Sequence, residues 1–135
     1  MNIWLCPVKL KSWRIVRKVG LFGVPKVVYN VFSQVRPEDL LIFHVLKPVR
    51  GIVAIAKVTS QMFEDDQDIW GRNRYPLRVK IEILQGLPKS EKPAPLSALI
   101  GENTNPEIEI EPYLGNVCIT KITEEQYEKI KKYFT

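Results

Sequence analysis

A chain of 135 residues, 45% hydrophobic and 26% charged, has the size and composition of one compact domain over residues 1–135, and is too short for two ordinary ones. At that length roughly two-thirds of the surface of the unfolded chain is buried, so the fold needs neither disulfides nor a structural metal. No run approaches the ~18 consecutive apolar residues of a membrane span, and no charged region leads into an apolar signal stretch, so the chain reads as intracellular, with the cytoplasm the expected compartment and no membrane partner.

The charge is unevenly placed. Lys and Arg number 20 against 15 Asp and Glu, a formal +5. Residues 1–37 carry Lys9, Lys11, Arg14, Arg17, Lys18, Lys26 and Arg36 and no acidic side chain. A one-signed segment concentrates polyanions near it, and phosphate backbones are the commonest such partner; the plainer reading is a solvated face with a charge bias.

Along the chain, Asn2 to Val8 is a short apolar run that predicts a first strand. Leu10 to Lys18 places Trp13 and Val16 at helical spacing, with Lys11, Arg14, Arg17 and Lys18 mostly on the other side: a basic amphipathic helix. Gly20-Leu21-Phe22-Gly23-Val24-Pro25 breaks it and reads as a turn, and Val27 to Val35 reads as a second short helix weakened by β-branched residues. Arg36-Pro37-Glu38-Asp39 has turn chemistry. It leads into a buried strand, Leu40 to Leu46, which pairs with Gly51 to Thr59 as an antiparallel hairpin. Thr59 to Arg74 is polar and acidic, a long loop carrying Trp70. Tyr75 to Ile83 alternates, apolar at 77, 79, 81 and 83, and predicts a strand with one buried and one wet face. Leu87 to Pro95 is a connector, Leu96 to Ile100 one helical turn, and Tyr113 to Ile119 a further strand. Thr123-Glu124-Glu125-Gln126 is a capping box opening a last helix whose inward stripe is Tyr127, Ile130 and Phe134.

Few residues here carry catalytic or metal chemistry. Cys6 and Cys118 lack the C-x-x-C spacing of zinc or redox sites and read as buried thiols, a disulfide staying open if their strands are adjacent. His44, the one histidine, lies in an apolar run and reads as structural. Glu64-Asp65-Asp66-Gln67-Asp68 lacks the Gly and terminal Glu of a calcium loop and reads as solvated. No phosphate-cradling Gly-rich motif occurs. Gly20-Leu21-Phe22-Gly23 formally matches the GXXG clamp of KH domains, but its apolar middle suits packing or stacking better. No metal or cofactor is expected.

Aromatic residues outside the periodic elements are more informative, because every base presents a π-face that Trp, Tyr or Phe can stack on. Phe22, Trp70 and Tyr75 stand in or beside loops. Trp4 and Trp13 stand at strand and helix positions that favour a core role. Arg72, Arg74 and Arg78 can contact phosphate or stack on a base.

The blocks Trp4-Leu5-Cys6, Ser12-Trp13, Phe22-Gly23-Val24-Pro25-Lys26, Arg36-Pro37-Glu38-Asp39, Gly51-Ile52-Val53, Val58-Thr59-Ser60 and Tyr75-Pro76-Leu77-Arg78-Val79-Lys80 resemble, in order and spacing, the EVE domains. These belong to the PUA-like superfamily together with the YTH readers of methylated adenine. The resemblance covers most of residues 3–84 and returns at Thr123-Glu124-Glu125-x-Tyr127. It implies an α+β, PUA-like, small curved β-barrel of five to six mostly antiparallel strands with flanking helices. It also implies no catalysis and a pocket that takes an extruded modified base between aromatic walls.

Phe22 stands where the family usually has Trp before Gly-Val, one wall of that cage, and Trp70 matches a second cage aromatic of the YTH readers. Lys9 stands where the family often has a base-bonding Asn, and replaces an amide by a donor-only cation. The Gly-Met-Arg or Gly-Leu-Arg of the family's last block is absent from Tyr113 to Thr120. The resulting expectation is a non-catalytic reader of RNA or DNA. Its base pocket is drawn from Phe22, Trp70, Trp13, Tyr75, Lys9 and Arg78, and its phosphate contacts from Lys11, Arg14, Lys26, Arg72 and Arg74. The alternative is a small-ligand or protein-interaction module on the same barrel, with a degenerate base pocket.

Overall fold

The first apolar run forms strand β1 (Ile3–Val8) in the computed structural model, which describes residues 1–46, 49–70, 75–86, 92–95 and 119–134. All six residues of β1 are buried. Trp4, Cys6 and Val8 enter one core while Ile3 and Leu5 enter another, the alternation a strand imposes. Helix α1 (Leu10–Val19) turns Trp13 and Val16 inward and leaves Lys11, Arg14, Arg17 and Lys18 exposed. Gly20 ends it at φ 72°, with its N–H donated to the Val16 carbonyl, a left-handed cap that glycine takes without a Cβ clash.

The expected turn at 20–25 is instead strand β2 (Leu21–Val24), with Phe22, Gly23 and Val24 buried. Its partner supplies the reason: Leu21 to Val24 pair antiparallel with Leu77 to Lys80. The helix expected over 27–35 is reduced to a 3-10 turn (Lys26–Val28) and the four-residue α2 (Tyr29–Phe32), in keeping with the χ1 stiffness of Val27, Val28 and Val31.

Strands β3 (Leu40–Val45) and β4 (Gly51–Val58) form the expected antiparallel pair. β3 also pairs with β1, in parallel. Both members of that pair are buried throughout, as parallel neighbours covered on both faces are. The expected loop 59–74 contains a two-residue strand, β5 (Phe63–Glu64), laid on β6 (Leu77–Gly86). β6 joins β2 along 77–80 and β4 along 81–86, and this stagger curls the sheet. β7 (Thr120–Ile122) adds to β1 antiparallel. Of the strand expected at Tyr113 to Ile119, only Ile119 is among the described residues, as Cys118 and the turn at 96–100 are not.

The strand order is β2-β6-β4-β3-β1-β7 with β5 on β6: an α+β, curled half-barrel, antiparallel but for one pair. Seven strands are described where the resemblance implied five to six; of these, β2 and the two-residue β5 were not readable from sequence. The last helix, α3 (Glu124–Lys131), carries both capping-box bonds. The Gln126 N–H donates to Thr123 Oγ1 at 3.1 Å and the Thr123 N–H to Gln126 Oε1 at 2.9 Å. Its Tyr127 and Ile130, with Phe134, cover Ile3, Leu5, Leu40, Ile42, Ile52 and Ile55, while α1 covers the opposite face. No described helix is long and apolar enough to cross a membrane.

Candidate nucleic-acid interface

A half-open cleft lies where α1 and the end of β1 meet β2. Val8, Ser12, Val16, Phe22, Gly23, Trp70 and Tyr75 line it, enclosing about 210 Å³ with the open mouth included. Three of the expected pocket aromatics thus converge, each in a different role.

Phe22 is 1% exposed and sits in the core, its ring 5.3 Å from that of Phe43 and 5.9 Å from that of Phe32, both edge-on. Only part of it reaches the cleft. Trp70 is half-buried and meets Tyr75 edge-on at 5.8 Å. Phe22 and Gly23, as successive strand residues, point to opposite faces of β2, and Trp70 lies on the Gly23 side: a Cβ built on Gly23 would stand 2.9 Å from Trp70 Cζ3. Phe22 and Trp70 are therefore not the two facing walls expected.

Trp13 departs further. Its ring is buried 4.9 Å from that of Phe43 and it does not line the cleft, because the helical spacing that made it conspicuous also aims it at the sheet.

Arg78 faces Gly23 directly across the β2/β6 ladder, so its side chain shares Gly23's face. Despite the period-two pattern it is 1% exposed. Its Nε donates to the Tyr75 carbonyl at 3.0 Å and its Nη2 to the Gln67 carbonyl. Nη1 lies 3.6 Å from Asp65 Oδ2, and the guanidinium stands 5.1 Å from the centre of the Trp70 ring. Arg78 is thus committed to Asp65, Gln67, Trp70 and Tyr75, rather than presented to solvent for a phosphate.

The cations divide in the same way. Lys9 is the exposed N-cap of α1, between the cleft residues Val8 and Ser12. Lys11 and Arg14 are exposed on α1, and neither they nor Lys9, Arg17 or Lys18 form an ion pair among the described residues. Lys26 does, at 2.9 Å to Glu64; both side chains are mostly exposed, so the pair is worth little and blocks Lys26 only partly. Arg72 and Arg74 lie outside the described residues.

Elsewhere, His44 is buried with no hydrogen-bond partner for Nδ1 among the described residues, and burial lowers its pKa from 6.5 to about 4. No group of three metal-ligating side chains occurs among the described residues. Sequence reasoning missed Gly23 as a floor, Ser12 as a lining group and Asp65 as a partner of Arg78. A glycine in a strand, marking close approach of another group, was the available signal for the first.

A curated relative, a UPF0310 protein of Pyrococcus abyssi, is 33% identical over 92 residues, 60% of this chain and 65% of the relative. The match thus spans a little under two-thirds of that relative's length. Among solved structures, Rpa0253 of Rhodopseudomonas palustris is similar with a TM-score of 0.65 at 15% identity, covering 99% of this chain and 93% of its own. A YTH domain-containing protein, mmi1, solved as an RNA complex, is similar with a TM-score of 0.66 at 12% identity, covering 98% and 80%. At such identities these two likenesses concern the fold. A sequence profile of the EVE domain matches residues 2–133 from end to end, and the chain belongs to that family.

Proposed function

We propose that this EVE domain is a non-catalytic nucleic-acid reader, residues 1–135 acting as one domain, in which the cleft between α1 and β2 takes one base and α1 holds the flanking backbone. The observation that carries the reading is the adjacency of two surfaces. The cleft is lined mostly by aromatic and apolar groups, and the helix that supplies Ser12 and Val16 to it bears Lys11, Arg14, Arg17 and Lys18 on its exposed side, without an ion pair among the described residues. From Lys11 to Lys18 α1 advances about 10 Å, room for two or three phosphates. Phosphate contacts position a strand and the cleft selects the base. That mmi1 was solved with RNA supports nucleic acid as the kind of partner. A modified base fits the apolar lining, since an added methyl gains contact there, and single strands bind at lower cost than duplexes, whose base must first be extruded.

The test is titration of labelled single-stranded and duplex DNA and RNA, with and without methylated cytosine or adenine, at two salt concentrations. Phe22→Ala is a poor probe because it removes core packing worth about 3–5 kcal/mol. Ser12→Phe is better, filling the cleft from the half-exposed side of α1. The expected result is salt-dependent binding with a preference for one modified strand, and loss of that preference in Ser12→Phe while the salt-dependent component persists. Binding that ignores both salt and Ser12→Phe would instead favour a protein-interaction or small-ligand module.

A further inference from the structure

We propose that the aromatic seat of this cleft is already filled in the free protein by the chain's own Trp70, so that a flat ligand ring enters by exchange with the indole. The seat is the outer face of the β2/β6 pair, where Gly23 and Arg78 stand directly opposite each other. Gly23 provides the space: its absent Cβ would lie 2.9 Å from Cζ3 and 3.0 Å from Cη2 of Trp70, and 3.0 Å from the Tyr75 carbonyl oxygen. A Cβ at position 23 therefore forces the indole to shift, and it also presses on the Tyr75 carbonyl. Arg78 provides the attraction, a buried guanidinium 5.1 Å from the indole centre, held there by the Tyr75 and Gln67 carbonyls and by Asp65. A cation so fixed favours the electron-rich face of an aromatic ring. Tyr75 closes one side edge-on.

With the indole seated, little of the cleft is left. The 210 Å³ that includes its open mouth falls below the roughly 300–1,000 Å³ of pockets that enclose small ligands, and the interior admits about one water. Of the other aromatic rings lining the cleft, Phe22 is buried in the core and Tyr75 meets the indole edge-on. The indole is nevertheless releasable. It is only half-buried, and its segment is tied to the sheet by the two-residue β5, by the Asp65 N–H on the Pro76 carbonyl, and by Arg78. The strand pairing and hydrogen bonds among those ties do not involve the Trp70 ring, so rotation of the side chain gives up only its contacts with Arg78 and Tyr75.

The seat is testable without nucleic acid, whereas the exchange rests on the cleft being the ligand site. Trp70→Gly should bind free indole saturably, one per chain, with a rise in melting temperature that wild type and Trp70→Gly/Gly23→Ala both lack. Should Trp70→Gly fold poorly, Gly23→Ala in otherwise wild-type protein provides a second measurement. The added methyl should expel the indole and raise acrylamide quenching of one tryptophan, identified by its absence in Trp70→Phe. If Trp70→Gly takes up no indole, or if Gly23→Ala leaves the quenching of Trp70 unchanged, the seat does not exist and the proposal is overturned.

The exchange is read from protein labelled with 5-fluorotryptophan, by following the Trp70 fluorine resonance as a single-stranded oligonucleotide that binds is added. Movement of that resonance with saturation supports exchange. Binding without movement overturns exchange and leaves nucleic-acid reading in place. If no oligonucleotide binds, the nucleic-acid reading falls, and the indole measurement alone decides the seat.

Discussion

Three polar side chains are buried among the described residues, Asp39, His44 and Arg78, and each answers the cost of burial differently. The Asp39 carboxylate accepts hydrogen bonds from the Asn2 N–H at 2.9 Å and from the Arg36 N–H and Trp4 Nε1–H at 3.0 Å. It thereby ties the start of β1 to the turn before β3. Asp39→Ala leaves those three donors without an acceptor and should lower stability by about 2–4 kcal/mol, measured as a shift in the urea midpoint. His44 has no partner at Nδ1 among the described residues and is neutral at pH 7 when folded, its pKa lowered by burial to about 4.

The pH dependence follows from that lowering. Between pH 6.5 and about 4 the unfolded chain binds a proton at His44 that the folded chain refuses. Stability from this group is therefore complete above 6.5 and falls as pH drops, at about 1.4 kcal/mol per unit. Urea titrations at pH 7 and pH 5 should show wild type losing about 2 kcal/mol more than His44→Leu. Arg78 was legible as a cation beside the cleft but not as a buried one. Its neighbours Leu77 and Val79 fix its face by alternation, and only the return of Gln67 and Tyr75 over that face buries it.

At the scale of elements, what was readable locally formed locally. α1 and α3 follow from spacing and from caps contained in a few consecutive residues. Thr123→Ala removes one capping acceptor and should cost about 1 kcal/mol, read from thermal or urea unfolding, with Thr123→Ser close to wild type. β6 follows from strict alternation. β2 was not readable, because four residues between Gly20 and Pro25 carry turn chemistry and too little pattern for a strand. It is a strand because Leu77 to Lys80 lie beside it, a fact stored far along the chain. The same long-range pairing put Phe22 in the core, where helical spacing had already favoured Trp13.

The helices on the two faces differ in charge: α1 carries cations alone, whereas α3 mixes Glu124, Glu125 and Glu128 with Lys129 and Lys131. α1 packs on one face and α3 on the other, so lysines at the two sites test opposite sides of the sheet. Lys11→Glu/Arg14→Glu should weaken oligonucleotide binding severalfold or more at low salt and reduce the salt slope by about two. Lys129→Glu/Lys132→Glu, exposed on or beside α3, should leave both nearly unchanged. A similar loss from both pairs would mean that net charge alone, rather than the α1 surface, drives association.

The family, the mixed α+β class, the cationic N-terminal segment and the aromatic candidates were all determined by sequence, because block order, periodicity, caps and charge are carried by residues close together in the chain. The tertiary structure decided which aromatics share a cleft, which arginine is buried and where the space for a ring lies. Those depend on strand register and on the direction each side chain takes from a paired strand. Gly23 shows the difference: in the sequence it reads as part of a turn, and in the fold it is the gap beneath Trp70, opened by a strand pairing that no local pattern encodes.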